Sequence, residues 1–150
     1  MSPSTLVVLD RVALVAAWSE IEGGSAWLHP LKEKFMRRQP ALLRFLLKHF
    51  TGTFGVDLGI GQKVAFSIWL AFARQGRTPI YIDAWLLECG LRKQSRACEN
   101  KIPQPDDPMR DYLTHRLASL ISPPWNSPGF GEHYLPEFRA VADSLCEAAA

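Results

Sequence analysis

The residues of this chain that most resemble a metal site are Asp107, Asp111 and His115. Their spacing of four residues would place all three on one side of a helix. Two carboxylates and an imidazole suit Mg²⁺, Mn²⁺ or iron. However, Asp107 directly precedes Pro108 and is better interpreted as the N-cap of that helix. Asp111 and His115 then form an ordinary i,i+4 pair, so we predict no metal site and no cofactor.

A glycine-rich run, Gly55–Lys63, invites comparison with phosphate-binding loops. A Walker loop needs glycine directly before the lysine and Ser or Thr after it, whereas Gln62 and Val64 occupy these positions. The sequence favours a simple turn into the next helix, although backbone amides at a helix start can still hold an anion. Anion binding at Gly55–Lys63 therefore stays open.

Three cysteines and four histidines raise the question of a Cys–His catalytic pair. Cys89 and Cys146 lie in apolar helical patterns, where cysteine is usually a small inert side chain. Cys98 lies near Arg96 and Lys101 and has the most electropositive surroundings of the three. No active site emerges from these residues, so we expect a non-catalytic protein. An enzyme whose site the sequence does not reveal is the alternative.

Residues 32–48 carry six basic side chains and a single acidic one. The pattern allows one helix that continues through Pro40. In such a helix, Arg37, Arg44 and Lys48 would lie within ~40° of one another around the axis. This stripe suits an acidic protein surface or the phosphates of a nucleic acid, and a solvated helix face has the same pattern.

The proline- and glycine-rich stretch 122–131 is a predicted loop that carries Trp125 and Phe130. Large aromatic side chains on a stiff loop are typical of recognition surfaces, but they also fold back over cores. We predict a small adaptor or regulator that acts through protein–protein contact. Its candidate partner-binding residues are basic or aromatic: Arg37, Arg44, Lys48, Trp125 and Phe130.

Nucleic acid is the alternative partner, because Lys and Arg outnumber Asp and Glu in residues 1–102. Two predicted helices on either side of Gly76 have roughly the lengths of a helix-turn-helix. The second of them, Thr78–Cys89, offers apolar and acidic side chains where base recognition needs polar donors. Two packed core helices explain the pattern better, so nucleic acid is the less favoured partner.

Helices must position all these residues, since apolar side chains recur at helical spacing along most of the chain. Val64–Ala73 is apolar on nearly every side, which predicts a buried central helix at about 62–75. Leu31–Phe50 is predicted as one kinked helix or as two helices, the second opening at Pro40. Further helices are predicted before Gly23–Gly24, at Pro79–Cys89, after Pro108 and at Pro136–Ala148. The predicted turns and loops are 25–31, 51–61, 92–106 and 122–131.

The 150 residues match the common size of one domain, and no repeat or clear boundary divides them. The chain is 47% apolar and 21% charged, as globular proteins usually are. Its most apolar window is about half as long as a membrane-spanning helix. The sequence therefore predicts a single compact all-α domain of five to six helices, without membrane contact, in the cytoplasm. The oligomeric state and biological process stay open.

Overall fold

The computed structural model describes residues 11–24, 26–49, 58–99, 112 and 135–149. These residues contain no strand, and the chain is all-α as predicted. Six helices are described: α1 (Arg11–Glu22), α2 (Leu28–Arg38), α3 (Pro40–His49), α4 (Leu58–Arg74), α5 (Ala84–Glu99) and α6 (Leu135–Ala149). Within this part of the chain, every helix is too short or too polar to cross a membrane.

Helix α4 is the centre of the fold, as its apolar pattern predicts. Every residue from Val64 to Phe72 is buried, and α4 packs against α1, α2, α3 and α6. Its largest apolar side chains include Trp69 and Phe72, and both are fully buried. The ring centroids of Phe35 and Phe66 lie 5.6 and 6.0 Å from that of Trp69. A helix that is apolar all round thus forms the core that the other helices cover.

The stretch around Pro40 forms two helices, and the second opens at Pro40 as one of the two predictions states. Gln39 joins them, because its backbone N–H donates to Phe35 O (3.0 Å) and its carbonyl accepts from Leu43 N (3.1 Å). The residue before a proline is disfavoured in the helical region, and Gln39 has φ −127° and ψ 54°. The alternative of one kinked helix is therefore wrong.

Two predicted turns extend too far into helices. The predicted turn 25–31 is wrong from Leu28 onward, because α2 already begins there. Pro30 is the third residue of α2, where a missing N–H leaves no intrahelical hydrogen bond unmade. The predicted loop 51–61 is wrong from Leu58 onward, because α4 begins there. The burial of the rest of α4 offsets the low helix propensity of its first-turn glycines.

The predicted helix Pro79–Cys89 is wrong in its first half, because residues 77–83 are not helical. The preceding helix does end as predicted, with Gly76 in the left-handed region at φ +74°. Helix α5 begins only at Ala84, and the Asp83 carboxylate accepts a hydrogen bond from Leu86 N at 2.9 Å. Asp83, rather than Thr78, is therefore the N-cap.

Helix α5 does not end at Cys89 as predicted, because it continues through Gly90 to Glu99. The predicted loop 92–106 is thus wrong over residues 92–99, where Arg, Lys and Gln favour a helix. Gly90 faces α6, and a Cβ atom at this position would lie 3.5 Å from Ala140 Cβ. Close packing of α5 on α6 therefore extends the helix past the glycine. Residues 100–106 and the predicted loop 122–131 lie outside the described residues.

The last predicted helix is confirmed, since α6 spans Leu135–Ala149. Its Phe138, Val141 and Leu145 are buried. Tyr112 is the described residue of the helix predicted after Pro108, and it is helical and buried. Its hydroxyl donates to Ser67 Oγ of α4 at 2.6 Å, which ties this region to the central helix.

Candidate interaction surface

The three basic residues that we predicted as a partner site are all exposed. Arg37 lies on α2, whereas Arg44 and Lys48 lie one turn apart on α3. They do not share one helix face, because the helix is divided at Gln39. Lys48 Nζ lies 3.1 Å from Glu88 Oε1 of α5, so the basic side of α3 stands beside α5.

Trp125 and Phe130, the aromatic part of the predicted partner site, lie outside the described residues. The described part of the chain has an exposed aromatic and aliphatic group elsewhere, within seven consecutive residues. We call it the apolar surface; its members and their exposed fractions are Ile80 (72%), Tyr81 (53%), Trp85 (67%) and Leu86 (44%). The interpretation of this stretch as a core helix is thus wrong for these four side chains.

A buried glutamine holds the backbone beneath the apolar surface. Gln39 is fully buried, and its Nε2 donates to the carbonyl of Ile80 at 2.8 Å. Its Oε1 accepts a hydrogen bond from Ile82 N at 3.0 Å. The amide thus makes the paired hydrogen bonds that a neighbouring strand would make, and this replaces the helical bonds that residues 80–82 lack.

Three further contacts fix the same segment. Ile80 N donates to the carbonyl of Ala148 at the end of α6 (3.0 Å). The side chain of Ile82 is buried, which anchors the segment in the core between its exposed neighbours. Asp83 then caps α5, and Trp85 and Leu86 occupy the first turn of that helix. The four apolar side chains therefore project from a backbone that is held on both sides.

Glu88 stands one turn after Trp85 on α5 and joins the apolar surface to α3. Lys48 Nζ and His49 Nε2 both lie 3.1 Å from Glu88 Oε1. Burial raises the pKa of Glu88, but the hydrogen bonds from His49 and Lys48 outweigh this effect and hold the pKa below its ordinary value. The carboxylate is therefore ionised at neutral pH, and the Lys48 ammonium offsets its charge.

Several exposed cations lie on the elements that contact the segment bearing the apolar surface. Arg37 and Arg38 directly precede Gln39, which contacts the segment, and Arg44 precedes Lys48 by one turn. The exposed cations of these neighbouring elements form what we call the basic border: Arg37, Arg38, Arg44, Lys48 and Arg77. Among the acidic side chains nearby, Asp83 caps α5 and Glu88 pairs with Lys48, whereas Glu147 of α6 is exposed.

The other residues that the sequence offered for chemistry are the cysteines and the Asp111–His115 pair. Cys89 and Cys146 are half-buried and line one groove of about 410 Å³ between α5 and α6. Cys98 belongs to α5, and its side chain lies outside the described residues, as do Asp111 and His115. Within the described ranges, no three His, Cys, Asp or Glu side chains stand close enough to hold a metal ion.

Residues Gly59, Gln62 and Lys63 of the glycine-rich run belong to the first turns of α4 and do not form a phosphate loop. They line a cavity together with residues of α1 and α2.

The apolar surface offers aromatic and aliphatic area for burial, and its basic border offers attraction to carboxylates, as binding surfaces commonly do. No protein-family model, curated protein or solved structure matches this chain.

Proposed function

We propose that this protein is a non-catalytic adaptor or regulator that binds a partner protein through the apolar surface. The observation that carries the proposal is the exposure of four large apolar side chains within residues 80–86. Single exposed apolar residues are common, but a contiguous group of them is typical of an interaction site. Tryptophan and tyrosine, both present here, are enriched among the residues that dominate binding energy.

The contacts of Gln39 and Ala148 favour this function, because they order the segment before a partner arrives. Association has to offset the entropy lost when interface residues become fixed. Here the backbone hydrogen bonds already hold Ile80 and Ile82 in place in the free protein. The binding energy of Tyr81 and Trp85 therefore does not have to offset the entropy cost of ordering a loop.

The basic border determines the chemistry of the partner. We expect a protein segment whose apolar side chains are flanked by Asp or Glu, because such a segment covers the apolar surface and meets its cations. Arg44 and Lys48, predicted from the sequence alone, belong to this border. Trp125 and Phe130 stay a predicted second contact. We expect the encounter to take place in the cytoplasm.

The expected contribution of Trp85 follows from its exposure. A tryptophan buries about 150–250 Å² when it is fully covered. Since 67% of Trp85 is exposed, a partner would remove about 100–170 Å² from water. At about 25 cal/mol per Å², this corresponds to about 2.5–4 kcal/mol, or about 70- to 900-fold in affinity.

The test compares partners recovered from cell extract by the wild type, Trp85→Ala and Trp27→Ala, followed by titration of the purified partner. Trp27 is the matched control, because it is 73% exposed but lies at the start of α2. We expect Trp85→Ala to weaken binding at least 50-fold, whereas Trp27→Ala leaves it unchanged. Equal binding by Trp85→Ala and the wild type would contradict the proposal.

A charge-reversal variant tests the chemistry of the partner. Arg44→Glu should weaken binding to an acidic partner, and the wild-type affinity should fall as salt rises. Binding in nuclease-treated extract separates this function from the nucleic-acid alternative. Nucleic-acid binding would be supported instead if nuclease abolished partner recovery and the protein shifted DNA or RNA in a mobility assay at low salt.

A further inference from the structure

A cavity of about 470 Å³ opens between the α1–α2 connection and the start of α4. It lies in the size range of about 300–1,000 Å³ that is typical of small-molecule sites. One part of its wall is apolar and consists of Ile21, Leu28 and Phe66. Leu28 and Phe66 are almost fully buried, so this part belongs to the core.

The other part of the wall carries amino and amide groups. Lys63 and Gln62 of α4 are half-buried, and Lys32 of α2 is exposed. Lys63 Nζ lies 4.9 Å from the ring centroid of Trp18, which is a cation–π distance. Two cationic side chains thus line the same cavity as the apolar residues.

The two cations are not matched by carboxylates. No carboxylate of the described residues lies within 4.0 Å of Lys32 Nζ or Lys63 Nζ, and the first turn of α4 contains no acidic residue. The acidic neighbours have other partners in the same region. Glu22 accepts a hydrogen bond from Trp18 Nε1, and Glu33 lies 3.5 Å from His29 Nε2 at the cavity. Lys32 and Lys63 therefore stand at the cavity without an ion pair among the described residues, and their ammonium groups can meet a carboxylate.

We infer that this cavity binds a small amphipathic organic anion, specifically a carboxylate on an apolar body. The carboxylate would lie between Lys32 and Lys63 and accept hydrogen bonds from Gln62, while the apolar body packs against Phe66 and Leu28. None of these residues belongs to the apolar surface at 80–86. This binding site is therefore independent of the proposed partner contact.

Isothermal titration of the full chain with octanoate tests the inference. Octan-1-ol supplies the tail without the charge, and acetate supplies the charge without the tail. We expect one saturable site for octanoate and at least tenfold weaker binding of octan-1-ol and of acetate. Absence of saturable octanoate binding, or equal binding of either comparison compound, would overturn the inference.

Two variants locate the site. Lys63→Met and Lys32→Met should each weaken octanoate binding at least tenfold, whereas Lys34→Met, on the same helix as Lys32 but not at the cavity, should not. Lys32 is exposed, so its variant gives a result even if loss of the Trp18 contact unfolds Lys63→Met. Unchanged affinity in Lys32→Met would overturn the assignment. Trp85→Ala should bind octanoate as the wild type does, so the outcome does not depend on the partner proposal.

Discussion

Replacing Gln39 with methionine would remove the two side-chain hydrogen bonds beneath the apolar surface and keep the side-chain length. The carbonyl of Ile80 and the N–H of Ile82 would then lack their partners, which lie at 2.8 and 3.0 Å in the native fold. Gln39 itself is fully buried, so water cannot readily take its place. The variant therefore tests whether hydrogen bonds between residues 41 to 43 positions apart in the sequence hold the segment that bears the apolar surface.

The expected magnitude follows from two routes. If the segment stays in place, two unpaired polar groups cost about 1–3 kcal/mol each. If it detaches, water satisfies these groups, but Ile82 leaves the core, which costs about 1.5–3 kcal/mol in addition to the lost hydrogen bonds. A buried methionine recovers some of this energy by apolar burial. We expect Gln39→Met to lower the free energy of unfolding by about 2–4 kcal/mol.

Urea unfolding followed by circular dichroism measures the global effect, and amide hydrogen exchange at Ile82 measures the local one. Gln94→Met is the matched control, because Gln94 is half-buried and its single side-chain contact, to Asp143 Oδ2, is 3.3 Å long. The control should change stability by less than about 1 kcal/mol. The reasoning is refuted if Gln39→Met unfolds within about 0.5 kcal/mol of the wild type, or if Ile82 remains as protected as in the wild type.

Two further predictions concern charge and backbone. Because the pKa of Glu88 is lowered in the fold, its ionised form stabilises the protein above the ordinary value of 4.5, and this stabilisation is lost as pH falls through the lowered pKa. Urea unfolding at several pH values should therefore show that the stability difference between the wild type and Glu88→Gln becomes smaller as pH falls through the lowered pKa of Glu88. A difference that does not change with pH would argue against the ion pairs. Gly90→Ala should stabilise by about 0.5–1 kcal/mol, since its Cβ meets Ala140 Cβ at an ordinary 3.5 Å. Gly76→Ala, at φ +74°, should destabilise by about 1–2 kcal/mol, and thermal melts that move both variants in the same direction would contradict this reasoning.

The parts of the fold that sequence reasoning predicted correctly depend on local signals. A continuous apolar run makes α4 a buried helix in almost any arrangement of its neighbours. Pro40 divides α2 from α3 because its ring restricts Gln39 regardless of what packs nearby. The apolar face of α6 likewise predicts its burial, and Phe138 and Val141 are buried. Each of these outcomes depends on residues within a few positions of one another.

The errors in the predicted fold arise where residues that are distant in the sequence determine the local structure. Thr78 and Pro79 together are typical of a helix start, but the side chain of Gln39 binds the backbone of Ile80 and Ile82 and prevents that helix. Helix propensity alone cannot reveal a competing hydrogen bond from another helix. The sequence does contain a signal for the true start of α5, namely Asp83. Aspartate is a preferred N-cap residue, and α5 begins directly after it.

The candidate interaction surface was missed for a related reason. Trp69 and Trp85 are the same residue type in similarly apolar stretches, yet one is fully buried and the other is 67% exposed. The difference arises because α4 packs against four other helices, whereas the first turn of α5 leaves Trp85 and Leu86 exposed. Hydrophobic pattern therefore identifies apolar segments but not which of them the fold covers.

The contrast between these two tryptophans separates folding from binding. Trp69→Ala would open a cavity in the core and lower the free energy of unfolding by about 3–5 kcal/mol. The double variant Tyr81→Ser and Trp85→Ser removes side chains that are more than half exposed, so it should change stability by less than about 1 kcal/mol. Loss of partner binding in a double variant that unfolds at the wild-type urea concentration would assign these residues to recognition. A large loss of stability would instead mean that they hold the fold, and the apolar surface would not be an interaction site.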